Sequence, residues 1–478
     1  MTVTKLASAL ALLAIYPHDH PVVTNDPCLT TSYYGTYGTQ SIFIPKGACY
    51  EEKGLSEPDV MLDISAYNTG DQLVWVEEAA MDPKFSWRPK PRFEGIEGWL
   101  SLLAIPEYAN PDDALTVSPS SQEPLSAPHR AYTVLHRTAN SALLALPPQY
   151  AYALSSVLPT TWRIYALPDT PVPLVPVPAP AIEHVRTILD NLKFDPLIAR
   201  IVSNISLPQI KNDIRWLTGE DGQSGIVSRH SFSQGARTTA DWLKLRVEET
   251  GAKCELRTYL AGFAPNVICR YPSTVNTTAT VLVSAHYDSR GSFGSARAPG
   301  GNDDGSGTTG ILGIARTIKR MGVTFRSNVE LVAFTGEEQG LYGSRYYSQD
   351  LRAENKNLTL MIQADMTAYH EPGEPLQLGL PERIGTQEVT QLIANISAIY
   401  SPELHVGYTP ACCSDHQSFH YQGFPASQVF ERAGPIADPM YHNSGDLSER
   451  EGYDFEQLKS IAKVQFATIL HAAGYDLL

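Results

Sequence analysis

The sequence predicts an α/β fold, with a mixed, largely parallel central sheet flanked by helices and a smaller N-terminal α+β or mostly β domain. Three observations carry this. From about residue 182 onward, apolar strand-like runs alternate with runs at helical spacing. The strand-like runs are apolar on successive residues, as strands covered on both faces must be. A proline-rich tract, 167–181, separates this part from a stretch rich in Tyr, Pro and short alternating runs.

At 478 residues the chain is long enough for more than one domain. A hydrophobic content of 43% with 18% charged residues fits a globular protein. The net charge of -15 excludes nucleic acid as a natural partner. No run after the N-terminus approaches the roughly 20 apolar residues of a membrane span.

Taken in order, Lys5 precedes an apolar run from Leu6 to Ile15. This reads as a signal peptide over residues 1–15 with cleavage near Ala14; the alternative is a short buried helix opening the fold. His18 and His20 follow as solvated residues. Residues 20–166 form the accessory or pro-domain, with strands at Gln40–Ile44, Gln72–Val76 and Ser141–Leu146. Residues 167–181 read as a semi-rigid linker, or as a proline-rich loop within one domain. The domain over 182–478 opens with helical spacing from Ile182 to Leu207 and an amphipathic helix from Thr238 to Gly251. Strands then follow at about 278–286, 327–335, 358–366, 375–380 and 425–430. Helices interleave at about 307–321, 340–353, 385–400, 414–422 and 453–473.

Asn204, Asn276, Asn357 and Asn395 each open an acceptor sequon. With the leader they place the protein outside the cell, or in the lumen of a lytic compartment. The six cysteines fall into sequence-local pairs. Cys254 and Cys269 lie on neighbouring strand-like segments, Cys28 and Cys49 form a second pair, and Cys412 and Cys413 are either a vicinal bridge or separately paired.

Chemistry gathers at the strand ends. Val281–His286 delivers His286 and then Asp288, and the glycine-rich loop behind it ends in Asp303 and Asp304. The run ending at Thr335 presents Glu337 and Glu338, which point in opposite directions if extended. Asp365 is the one charge in a buried-looking run, where an unpaired carboxylate is costly. His442 lies in a loop near the C-terminus. In open α/β sheets, ligands bind at the carboxyl ends of strands. Two imidazoles and three carboxylates (His286, Asp303, Glu338, Asp365 and His442) suit two divalent ions, zinc first, with one carboxylate shared.

The segments AHYDS, APGGNDDGSG, FTGEEQGLYGS, QADMTAY, CSDHQSFHYQGFPA and YHNSGD resemble, in order, the secreted co-catalytic dizinc aminopeptidases, whose clan includes glutaminyl cyclases and carboxypeptidases. The resemblance spans about 183–478. It implies a zinc-exopeptidase-like fold and two zinc ions per chain: His286 and Asp365 on one, Glu338 and His442 on the other, Asp303 bridging. Asp288 would orient His286, Glu337 would be the general base, and the Asp303–Asp304 peptide would be cis. The substrate would be a peptide or protein N-terminus, and the enzyme a monomer. The segment around Asp415, His416 and Phe419 would line the specificity pocket. Ala411 stands where some members have an oxyanion-stabilising tyrosine, leaving Tyr408 as substitute. His416 and His420, one helical turn apart, fit a pocket or structural role better than a ligand pair. A glutaminyl cyclase would use one zinc. A carboxypeptidase or dipeptidase would need a basic residue for a substrate carboxylate, with Arg290, Arg297 and Arg432 as candidates. A metal-stabilised binding protein would have no use for Glu337.

Overall fold

In a computed structural model, residues 12–45, 57–64, 70–87, 132–151, 154, 158–292, 295–411 and 413–478 are described. The chain divides into two compact units: Met1–Glu78 with Lys84–Val172, and Ala79–Pro83 with Pro173–Leu478.

The first unit holds two four-stranded antiparallel sheets. One is built from β1 (Leu12–Pro17), β2 (Tyr33–Tyr37), β3 (Gln40–Phe43) and β4 (Val60–Asp63), in the order β2-β3-β1-β4. The other is built from β5 (Gln72–Glu78), β6 (Thr133–Arg137), β7 (Ser141–Leu146) and β8 (Trp162–Ala166), in the order β6-β7-β5-β8. The end of the apolar run read as a leader, from Leu12 onward, lies in an interior strand. Leu13, Ala14, Ile15 and Tyr16 are buried, and β1 pairs with both β3 and β4. Ala14 pairs with Phe43 and Ile15 with Ile42; the preceding residues of the run lie outside the described residues. An apolar leader and a buried strand share one composition, and only pairing separates them.

The second unit is organised on a six-stranded sheet of β9 (Lys253–Arg257), β10 (Asn266–Tyr271), β11 (Thr280–His286), β13 (Asn328–Phe334), β14 (Leu358–Ala364) and β17 (Ala426–Val429), in the order β17-β14-β11-β13-β10-β9. The four strands β17, β14, β11 and β13 are mutually parallel, and β10 and β9 complete the sheet antiparallel. Every residue of β11 and β14 is buried, which explains their unbroken apolar sequence. Strands β12 (Val323–Phe325) and β18 (Tyr475–Leu477) form one small sheet, and β15 (Gln377–Pro381) and β16 (His405–Thr409) another.

Helices cover the sheet. They are α1 (Ala179–Asp190), α2 (Pro196–Ser203), α3 (Leu207–Leu217), α4 (Gln234–Glu248), α5 (Gly305–Met321), α6 (Tyr342–Ala353), α7 (Gln387–Tyr400), α8 (His416–Tyr421) and α9 (Phe455–Ala473). One core gathers Val283 and Ala285 of β11, Ile311 and Ile314 of α5, and Ile461 and Val464 of α9. A second, around Leu282, Phe334, Met361 and Phe419, gathers β11, β13, β14, α6 and α8. The helical spacing from Ile182 to Leu207 resolves into two helices. Asp195 caps the second by accepting from the Leu197 amide, and Pro196 at its start has no N–H to continue the first.

The units meet within the tract read as a linker, and one short segment is assigned across them. The unit boundary lies at 172/173, inside the proline tract, and α1 already begins at Ala179. The segment Ala79–Pro83, expected in the N-terminal domain, belongs to the second unit. It runs parallel to the chain at Ile436, with the Asp82 amide donating to the Ile436 carbonyl and the Ile436 amide to the Ala80 carbonyl, both at 2.8 Å.

Cys254 and Cys269 face each other across β9 and β10 and are bonded. Cys28 and Cys413 are also in disulfides. Cys49 and Cys412 lie outside the described residues, so the remaining pairings stay as expectations. Asn204, Asn276, Asn357 and Asn395 are all exposed. Among the described residues, no helix is long and apolar enough to cross a membrane.

Candidate metal centre

Parallel strands end side by side, so whatever follows them converges. β11 ends on His286, with Asp288 two residues on. β13 leads to Glu337 and Glu338, β14 to Asp365, and the loop after β17 to His442. The loop between β11 and α5 supplies Asp303, and Asp304 caps α5 by accepting from the Gly307 amide. The Asp303–Asp304 peptide is cis.

The side chains form two overlapping groups, His286–Asp303–Asp365 and Asp303–Glu338–His442. Within each, candidate ligand atoms lie within 4.8 Å of one another. Asp303 serves both, one oxygen to each histidine. Its Oδ1 is 3.2 Å from His286 Nε2 and its Oδ2 is 3.2 Å from His442 Nε2. Asp365 Oδ1 lies 3.7 Å from His286 Nε2, and Glu338 Oε2 lies 3.0 Å from His442 Nε2. All five residues are buried.

Burial on its own lowers the His286 pKa, but Glu337 and the carboxylates of Asp288, Asp303 and Asp365 raise it well above the usual imidazole range. Burial likewise lowers that of His442, and the nearby Glu338 carboxylate outweighs it. Asp303 is held far below the usual carboxylate range: burial raises it, and the two histidines more than reverse that. So much negative charge without its own cations is costly in a protein interior. Among the described residues, His286 Nδ1 and Nε2, Asp288 Oδ1 and Glu338 Oε1 are buried without a hydrogen-bond partner. The orphaned His286 Nε2, with the carboxylates of Asp303 and Asp365 around it, fits a metal of zinc's borderline character.

Asp288 stands behind His286, its Oδ1 3.5 Å from Nδ1. Its other oxygen accepts from Ser231 Oγ at 2.8 Å and from the Glu338 amide at 3.2 Å. One carboxylate thereby aligns an imidazole of one group with the backbone of the other. The acidic turn starts at Gly336, whose φ of 74° and closeness to Tyr259 leave no room for a side chain.

Several supporting residues carry no signal in the sequence. Arg229 is fully buried and donates to the carbonyls of Tyr287, Leu217, Pro299 and Gly300, cradling the loop that leads to Asp303. Asp446 accepts from the amides of Asn302 and Asp303 and is braced by Arg450. Arg290 donates from Nη1 to His442 Nδ1 at 3.0 Å. Met366 and His442 both hold left-handed backbone, with φ of 52° and 50°. Such residues cost on the order of 1–3 kcal/mol each and persist only where their surroundings impose them.

The residues expected to line a pocket have varied surroundings. Phe419 is wholly buried in the core with Phe334, Tyr347 and Phe424, and His416 Nε2 faces the Ile384 carbonyl at 3.1 Å. Tyr408 lies 62% exposed on β16, out of the cluster. Asp415 is buried and within electrostatic reach of His286, and burial pushes its carboxyl up to about 7. What adjoins the ligands is an apolar group: Met366, Ala411, Phe430, Ile436 and Tyr441. Met366 follows Asp365, and Tyr441 precedes His442 and stacks on its ring at 3.7 Å. Ala411 joins this group and presents no oxyanion donor.

Residues 266–469, which carry all five candidate ligands, match the model of peptidase family M28. A probable leucine aminopeptidase of Arthroderma otae is 31% identical over 269 residues, covering 52% of this chain and 69% of that protein. The chain belongs to peptidase family M28. A further relative of this M28 peptidase is leucine aminopeptidase 1 of Trichoderma harzianum, 28% identical over 272 residues, covering 52% of this chain and 66% of that protein. Among solved structures, the Legionella pneumophila LapA aminopeptidase superimposes with a TM-score of 0.56 at 16% identity, over 85% of this chain and 99% of that one. LapB from Legionella pneumophila gives 0.56 at 17%, over 72% and 95%. These two establish likeness of fold. The M28 peptidase is therefore a peptide hydrolase with a mixed α/β catalytic unit.

Proposed function

We propose that this chain is a secreted zinc aminopeptidase that removes the first residue of peptides with an apolar N-terminal side chain. The observation that carries the reading is the sharing of Asp303 between two buried triads, with Glu337 beside them. In this reading His286 and Asp365 hold one zinc, Glu338 and His442 a second, and Asp303 both. Zinc in these positions would polarise the scissile carbonyl and lower the pKa of a water towards about 7. Glu337 accepts the proton of the attacking water and returns it to the leaving amine. Asp288 fixes the tautomer and tilt of His286 through Nδ1. Position 411 holds no tyrosine and Tyr408 faces solvent, so neither supplies a phenolic donor to the oxyanion.

The apolar group beside Asp365 and His442 supports a leucine-like preference, in keeping with the names of the relatives. The Cys254–Cys269 bond and the four exposed sequons support a secretory route. The test is hydrolysis of leucine arylamide against its N-acetyl form. The free amine is expected to be required, with the acetylated substrate slower by orders of magnitude; equal rates would remove the aminopeptidase reading. Cyclisation of an N-terminal glutamine peptide without hydrolysis would favour a glutaminyl cyclase instead.

A carboxypeptidase or dipeptidase reading rests on Arg290, which is buried beside His442. Arg432 does not serve it, because Asp82 and Glu374 take its guanidinium. The arylamide has no carboxylate, so its turnover also decides against this reading.

A further inference from the structure

The segment Ala79–Pro83 is remote in sequence from every candidate ligand, yet it belongs to the catalytic unit. Its backbone pairs with Ile436 through two hydrogen bonds. Its Asp82 is 2.7 Å from Arg432, whose other nitrogens reach Glu374 at 2.8 and 2.5 Å. Both carboxylates lower the charge cost of an arginine whose side chain is only 15% exposed, so strap and loop are tied at two points. The side chains of Ala79 and Met81 pack on the apolar group of Met366, Ala411, Phe430, Ile436 and Tyr441. That group begins next to Asp365 and ends next to His442. An apolar side chain on a substrate whose α-amine sits among the ligands would therefore meet it.

We propose that Met81 is a specificity-determining residue of the peptidase, forming the movable wall of the surface that receives the substrate's N-terminal side chain. The inference rests on the aminopeptidase reading and adds to it a residue from the N-terminal half of the chain. The chemistry of the wall suits the task. Methionine has three rotatable bonds and a polarisable sulfur, so it adapts to side chains of different shape. Met81 is only partly buried, whereas the five residues beneath it are buried. The backbone pairing and the Asp82–Arg432 ion pair hold the wall's base while its tip moves.

The experiment is kcat/KM of the full chain for alanine, leucine and phenylalanine arylamides, with wild type, Met81→Ala and Met81→Trp. Met81→Ala is expected to raise the phenylalanine-to-alanine ratio at least about fivefold, and Met81→Trp to lower it, with alanine arylamide changing least. A merely structural role would scale all three substrates together. Asp82→Asn, which keeps the side chain's shape and loosens the strap, is expected to raise KM for leucine arylamide more than it lowers kcat. Ratios within about twofold of wild type in both Met81 variants would overturn the proposal. Wild type inactive on all three arylamides would instead overturn the aminopeptidase reading, and the proposal with it.

Discussion

Asp303 divides its two oxygens between His286 and His442, and this sharing makes the two candidate sites unequal in what they can lose. Asp303→Ala is expected to abolish retention of both ions, and His442→Ala to leave one, as read by metal content after dialysis. Equal losses in the two variants would contradict the shared-ligand geometry. Asp288 touches no candidate site directly but orders His286 and the Glu338 amide. Asp288→Asn is expected to weaken metal binding roughly 10–100-fold, with the fold intact. His286, Glu338 and Asp365 stood out as candidates because each lies at the end of an apolar run, whereas Asp303 and His442 stand in loops and drew notice through the set they complete. Arg229 and Asp446 could not, since an arginine or aspartate that props a loop looks like any other until its partners arrive from far along the chain. Phe419 and His416 sit within a family-like segment; Phe419 packs in the core and His416 faces the Ile384 carbonyl, neither of which the segment's sequence reveals. Met366, Phe430, Ile436 and Tyr441 went unnoticed because apolar residues around a site carry no signature beyond hydrophobicity.

At the level of elements, the strands of the catalytic unit were legible because burial on both faces leaves an unbroken apolar run, and their helices because one face must be apolar. The strand order was not, since nothing in a strand's own sequence says which strand lies beside it. Gly336 and the Asp195–Pro196 cap show how single residues set an element's end. Leu282 and Met361, at the centre of β11 and β14, are fully buried on the face toward α6 and α8. Helix α8 adds a pH dependence. Burial lowers the pKa of His420 from 6.5 to about 4. Between those values the unfolded chain binds a proton that the folded chain refuses, so the stability His420 contributes is whole above 6.5 and is lost as pH falls towards about 4. His420→Gln is expected to flatten the acid side of the urea-midpoint profile relative to wild type. An unchanged profile would show that His420 charges freely in the folded chain.

Across the whole molecule, the family match covers 266–469 and the chemistry lies within it, while β1–β8 lie outside. The change of composition near residue 180 marked the catalytic part to within about ten residues of the 172/173 boundary. The strap at 79–83 was invisible, because five residues crossing from one unit to the other alter neither composition nor periodicity. The leader-like run was read from Lys5 and the apolar stretch behind it, and from Leu12 onward its residues pair within a sheet. The catalytic unit is a sheet whose strand ends and loops bring five candidate ligands and Glu337 together, the arrangement that a reaction with charge developing at a fixed point requires. The most direct test measures metal content and leucine arylamide hydrolysis together, for wild type and Glu337→Ala. Two zinc ions in each protein, with hydrolysis falling roughly 10²–10⁴-fold in the variant, is the predicted result. A variant that hydrolyses like wild type, or a wild type that works with no bound ion, would contradict the account.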